Sequence, residues 1–218
     1  MKLAQRAEIS ENFKTEYRKF AKEKLMDLNN QLQEQQMSKN LFVQQYGPAI
    51  KHLYDIVSDD KKFEFEITRL RLLNYTKLDA AKAPFYFDFG AKLQEFPCIY
   101  GETHDVIIRY RGKKYNLGPY RVYIAWKMFF ATRTPAGKIN PNFIPALRDN
   151  IRYSRHPHHT KFNTCWGGFS PIVTSLERSG DVVEFLRTVY CYLCTYDPSS
   201  KLDARYSLEH YPWVTVMP

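Results

Sequence analysis

Residues 151–203 read IRYSRHPHHTKFNTCWGGFSPIVTSLERSGDVVEFLRTVYCYLCTYDPSSKLD, and the rest of the chain is best understood outward from them. Within this stretch Cys165 follows three histidines and Lys161 and precedes Gly167 and Gly168. Glycine next to a thiol lets a substrate come close to the backbone, and a loop is where reactive side chains are usually presented. Nearby positive charge favours the thiolate, which is the nucleophile of acyl exchange. The competing reading is that Cys165 is a small buried hydrophobe, a common fate of free cysteine. Further along, Asp181 stands as an N-cap with Glu184 three residues later. Val182, Phe185, Leu186, Val189, Tyr190 and Leu193 then recur at helical spacing, which predicts a helix over 182–194. Cys191 and Cys194 lie inside it, one turn apart on a shared face. Zinc would need two more ligands, from His156, His158, His159 or Cys165. A single CxxC without a second pair points to core packing, so neither a metal nor a cofactor is expected.

Upstream, Pro135, Gly137, Pro141 and Pro145 mark an irregular segment. Before it the apolar pattern is that of strands, predicted at 63–73, 85–89, 106–111 and 115–130, with a further one at 150–154. The first of these rests on Phe63, Phe65 and Ile67 alternating with Glu64 and Glu66. Arg111-Gly112-Lys113 reads as a turn, and Leu117-Gly118-Pro119-Tyr120 as a bend inside one strand. Toward the N-terminus, residues 8–36 contain no Pro or Gly, and Phe13, Tyr17, Phe20, Ala21, Leu25, Leu28 and Leu32 form one apolar stripe on a long predicted helix. That stripe suits either a coiled coil or the protein's own body. A second helix is predicted over 48–57, with Pro48 in its first turn. Consecutive strands between helices give an α+β order. Neither GxGxxG nor GxxxxGK[ST] occurs, which argues against a parallel nucleotide-binding sheet.

The motifs of 151–203 resemble those of ubiquitin-conjugating enzymes, and more closely their bacterial and phage-borne relatives. The matching elements are the strand at 151–154, His156-Pro157-His158, Thr164-Cys165-Trp166-Gly167, Ser170-Pro171, the helix over 182–194 and Asp197-Pro198. Upstream, Tyr115-Asn116-Leu117-Gly118-Pro119-Tyr120-Arg121-Val122 is similar to the family's Gly-x-Tyr/Phe strand. The resemblance covers about 45–205 and implies an antiparallel meander sheet flanked by helices, preceded by a helical extension at 1–44, with the α+β domain over 45–218. It implies Cys165 as the nucleophile, His158 where the family usually has an oxyanion-donating Asn, and Asp203, with Ser199 and Ser200, where polar residues prepare the incoming lysine. His156, Pro157 and Gly167 take the place of residues that order the loop. An imidazole N–H can donate as the amide does, yet His158 also titrates near neutrality, a departure from the family pattern.

These readings leave two functions from different classes. In the first, Cys165 carries the C-terminal carboxyl of a ubiquitin-like modifier, received from an activating enzyme, to an amine or another thiol. In the second, the domain is a non-catalytic component of an assembly such as a phage particle, bound to itself or other chains through residues 8–36. Nucleic-acid binding is a third and weaker expectation. Residues 1–60 hold nine Lys/Arg and nine Asp/Glu, so the whole net charge of +9 falls on 61–218. Aromatic residues make up 16% of the chain, too many for a disordered one. With neither an apolar run long enough to span a bilayer nor a leader-like start, the expectation is a cytoplasmic protein, or one inside a virus particle on the assembly reading.

Overall fold

The computed structural model describes residues 6–34, 39–87, 92–125, 143–145, 156–157, 166–198, 208 and 215–217. The architecture is α+β, with three N-terminal helices, an antiparallel-rich pair of sheets and two C-terminal helices. A short strand β1 (Glu8–Ile9) runs parallel to β2 (Tyr75–Phe87), and α1 (Glu11–Glu34) follows at once. The turn between them is set by Ser10, whose Oγ accepts from the Phe13 N–H at 3.0 Å, as an N-cap does, and donates to Asp79 on β2. Along α1, Phe13, Tyr17, Phe20, Ala21 and Leu28 are buried, with Leu25 and Leu32 partly buried beside them. The predicted stripe thus packs on the chain's own core.

Helix α2 (Lys39–Ser58) is longer than the 48–57 expected and carries Pro48 in its interior, where the residue is exposed to solvent. It is followed by α3 (Asp60–Arg71), where a strand over 63–73 was predicted. Two features explain the difference. Asp59 caps the helix by accepting from the Lys61 and Lys62 N–H groups at 2.9 and 3.1 Å. The buried residues are Phe63, Glu66, Ile67 and Leu70, a helical face. Phe65, which supplied the apparent alternation, is 67% exposed.

The main sheet has the order β1-β2-β3-β6-β7, with β3 (Lys92–Thr103), β6 (Tyr120–Ala125) and β7 (Phe143–Pro145) all antiparallel to their neighbours. Strand β3 was not expected from the sequence. The predicted strand at 85–89 falls inside β2 as far as Phe87. Between β3 and β6 the chain leaves the sheet to form the hairpin of β4 (Val106–Tyr110) and β5 (Lys113–Gly118), joined by β8 (Thr215–Met217) in a second sheet. The hairpin turn is Arg111-Gly112, both at positive φ (48° and 76°), matching the twist of the strands it joins. Gly118, at φ 78°, is therefore no bend inside one strand. It is the corner at which the chain passes from one sheet to the other. The predicted strand at 150–154, and the part of 115–130 beyond residue 125, lie outside the described residues.

A 3-10 turn (Gly167–Phe169) leads into α4 (Ser170–Ser179), and α5 (Val182–Leu193) completes the helices. Asp181 caps α5 as predicted, accepting from the Glu184 N–H at 3.0 Å. One apolar core gathers α1, α2, α3, α5 and the inner face of the main sheet. Tyr75 ties sheet to helix: its buried hydroxyl donates to the Leu186 carbonyl of α5 at 2.8 Å. Its ring lies over Gly101, where a Cβ would stand only 2.5 Å from the ring.

Candidate functional site

Helix α5 ends at Leu193, whose carbonyl is one of the terminal acceptors that a helix cannot satisfy internally. His156 supplies the missing donor. Its Nε2 lies 2.9 Å from Leu193 O, and because a carbonyl only accepts, this nitrogen carries the proton. The His156 side chain is fully buried, its ring 5.2 Å from that of Tyr192 and edge-on to Tyr120 at 6.4 Å. Pro157 is buried as well. On the other side of the 158–165 segment, Trp166 packs on the same Tyr192 ring at 4.6 Å, with Phe169 edge-on to it at 5.9 Å. Both flanks of 158–165 thus rest on one side chain. Directly after Trp166, Gly167 adopts φ 51°, a conformation that disfavours any side chain, and both Gly167 and Gly168 are exposed. Cys165, His158 and Asp203, the three residues expected to carry chemistry, lie outside the described residues, as do Ser199 and Ser200.

The remaining cysteines differ from one another. Cys98 is buried on β3, its thiol 3.3 Å from the Ala81 carbonyl. Cys194 is half-buried, and burial is the main influence that pushes its thiol pKa up, against the Tyr190 and Ile107 hydrogen bonds that lower it. Cys191 was expected to pack in the core with Cys194, but it is exposed. The residues 182, 183, 185, 186, 189, 192 and 193 turn inward on α5, which leaves position 191 on the outer edge. His156 Nε2 is spoken for by Leu193, so that nitrogen does not complete a metal set with the CxxC pair.

A second cluster of chemistry-bearing groups lies where α2, α3 and the α4–α5 corner meet under α1. Glu66 of α3 is 3% exposed. Its Oε2 accepts from Arg69 at 3.0 Å, and its Oε1 faces the Tyr17 hydroxyl at 3.3 Å and His52 Nε2 at 3.5 Å. Arg69 also reaches Glu184 at 3.3 Å, and Arg187 pairs with Glu184. Burial first, then the negative charges of Glu66 and Asp181, hold the Tyr17 phenol well above its ordinary pKa, so it stays a neutral donor. His52, Glu66 and Asp181 each offer one ligand atom, all within 4.8 Å of one another. Helical reading of 60–71 was the signal that could have found this cluster, since it places Glu66 on the core face three residues from Phe63 and four from Leu70.

No helix among the described residues is long and apolar enough to cross a membrane. Compared with protein-family models, curated proteins and solved structures, the chain matches none of them.

Proposed function

We propose that this chain is a cysteine-thioester carrier resembling a ubiquitin-conjugating enzyme, with Cys165 accepting the C-terminal carboxyl of a ubiquitin-like modifier and passing it to an amine or thiol. The reading is supported above all by Tyr192, on which His156 from one flank of 158–165 and Trp166 from the other both pack, at 5.2 and 4.6 Å. A carrier needs such a fixed base, because the acyl group must be presented to two successive partners from the same geometry. The exposed Gly167 and Gly168 suit the close approach of a modifier's extended C-terminus. On this reading His158 donates to the oxyanion and Asp203 assists the incoming amine, while His156, Pro157 and Gly167 order the loop. Incubating the full chain with ubiquitin carrying a C-terminal thioester to a small thiol tests it. The expected product is a reductant-sensitive adduct on Cys165, replaced by a stable oxyester in Cys165→Ser and lost in Cys165→Ala. An adduct on Cys191, or none on any cysteine, overturns the reading.

The assembly reading has one observation of its own. Phe65 and Leu72, at 67% and 68% exposure, lie seven positions apart on the outer face of α3 and its C-cap. Were that face an assembly contact, Phe65→Ser with Leu72→Ser would lower the oligomeric order seen by light scattering. An unchanged particle mass would remove this reading.

A further inference from the structure

We infer that His52, Glu66 and Asp181 form a binding site for one divalent transition-metal cation of the zinc type, built at the junction of α2, α3 and the α4–α5 corner. The three donor atoms, an imidazole nitrogen and two carboxylate oxygens, match what such a cation takes. Metal–ligand bonds of about 2.0–2.2 Å set donor atoms roughly 3.3–3.5 Å apart in a tetrahedral site. The His52–Glu66 edge, at 3.5 Å, already has that length, and all three donor atoms lie within 4.8 Å of one another. His52 Nε2 is a buried atom with no hydrogen-bond partner among the described residues. The His52 side chain is 30% exposed, and this nitrogen faces the Glu66 carboxylate across an edge of 3.5 Å that a cation can bridge.

The surroundings are those of a supported site. Arg69 holds Oε2 of Glu66 and leaves Oε1 turned toward His52. The Tyr17 hydroxyl donates to that same Oε1, and the N-terminal turn of α5 fixes one oxygen of Asp181 through the Glu184 N–H. The other charged groups at this corner are Lys24, whose stem lies 3.3 Å from where a Gly180 Cβ would be, and the Arg69–Glu184–Arg187 chain. A divalent cation here would bridge the Glu66 and Asp181 carboxylates and the His52 imidazole. It would staple three segments far apart in sequence.

The experiment uses the full chain, stripped with a chelator and titrated with Zn²⁺ by calorimetry, then with Co²⁺ to read the donor set by absorption. The comparison variants are His52→Gln and Asp181→Asn, the second chosen because Asn caps a helix as well as Asp does. One equivalent should bind with a nitrogen- and oxygen-type Co²⁺ spectrum and raise Tm. Each variant should lose at least tenfold in affinity, and Cys191→Ser with Cys194→Ser should lose none. The inference is overturned by uptake that persists unchanged in both ligand variants, by a thiolate-type spectrum, or by the absence of uptake.

Discussion

Replacing His156 by phenylalanine would keep a ring of similar bulk against Tyr192 and Tyr120 while removing the donor to Leu193 O, and replacing it by alanine would remove both. The first change strands a buried helix-terminal carbonyl, which costs about 1–3 kcal/mol. The second adds the loss of a fully buried ring and the void it leaves, bringing the total to about 3–5 kcal/mol. Equilibrium urea unfolding of the full chain measures both, with an unchanged m-value as the sign that the fold is retained. Amide exchange at the last turn of α5 should quicken in both variants, since that turn loses its external donor. The difference between the variants separates hydrogen bond from packing. If the phenylalanine variant stays within about 0.5 kcal/mol of the parent, the bond to Leu193 contributes nothing measurable. If the alanine variant does so too, the His156 turn is not an anchor, and the reading of 158–165 as a segment held at both flanks loses its support.

Gly101→Ala should destabilise by about 1–3 kcal/mol, because the new methyl would lie 2.5 and 2.7 Å from two carbons of the Tyr75 ring, and Tyr75→Leu in the same chain should recover part of the loss in thermal melts. Brief alkylation read by mass spectrometry should label Cys191 ahead of half-buried Cys194 and buried Cys98, so the reactivity of Cys165 is best ranked in a Cys191→Ser background. Ser10→Ala should cost about 0.5–2 kcal/mol as a lost cap. It should also flatten the acid limb of stability. Burial acts to raise the Asp79 pKa, but the Ser10 hydroxyl, the Ala80 N–H and Lys77 outweigh it and leave the pKa lowered. A lowered folded-state pKa gives stability that is present above the ordinary carboxylate value of about 3.9 and lost as pH falls through the folded one. An acid limb of unchanged steepness in the variant would show that Ser10 does not set the Asp79 titration.

How far the sequence could be read depended on whether local pattern and tertiary burial agreed. They agree in α5, where Asp181, Glu184 and the apolar spacing point one way, and along the Phe13-to-Leu28 stripe. They conflict in 63–73. There Phe65 is apolar but exposed and Glu66 is charged but buried, so a pattern of apolar positions reads the wrong period. A buried carboxylate is unintelligible without its partners, and Tyr17, His52 and Arg69 come from separate helices. Strand β3 escaped for a related reason. Pro97 and Gly101 are poor strand formers taken singly, and Gly101 is required because the side chains of Tyr75, 26 positions earlier, and Leu78 lie across it. His156 was legible as a loop-ordering residue only through the family resemblance, since nothing local announces that its acceptor is the end of a helix 37 positions away.

The N-terminal helix and the two flanks of 158–165 are linked through the same core, and this bears on what the first sixty residues are for. Phe13, Tyr17, Phe20 and Leu28 are each at most 5% exposed, and burying such side chains is worth about 1.5–3 kcal/mol apiece. Four of them approach the entire stability of an ordinary domain, about 5–15 kcal/mol. Tyr17 then touches Glu66, Glu66 is held by Arg69, and Arg69 reaches Glu184 in the first turn of α5. The far end of α5 carries Tyr192 and Leu193, on which His156 and Trp166 rest. Helix α1 therefore supports the helix that braces both flanks of 158–165.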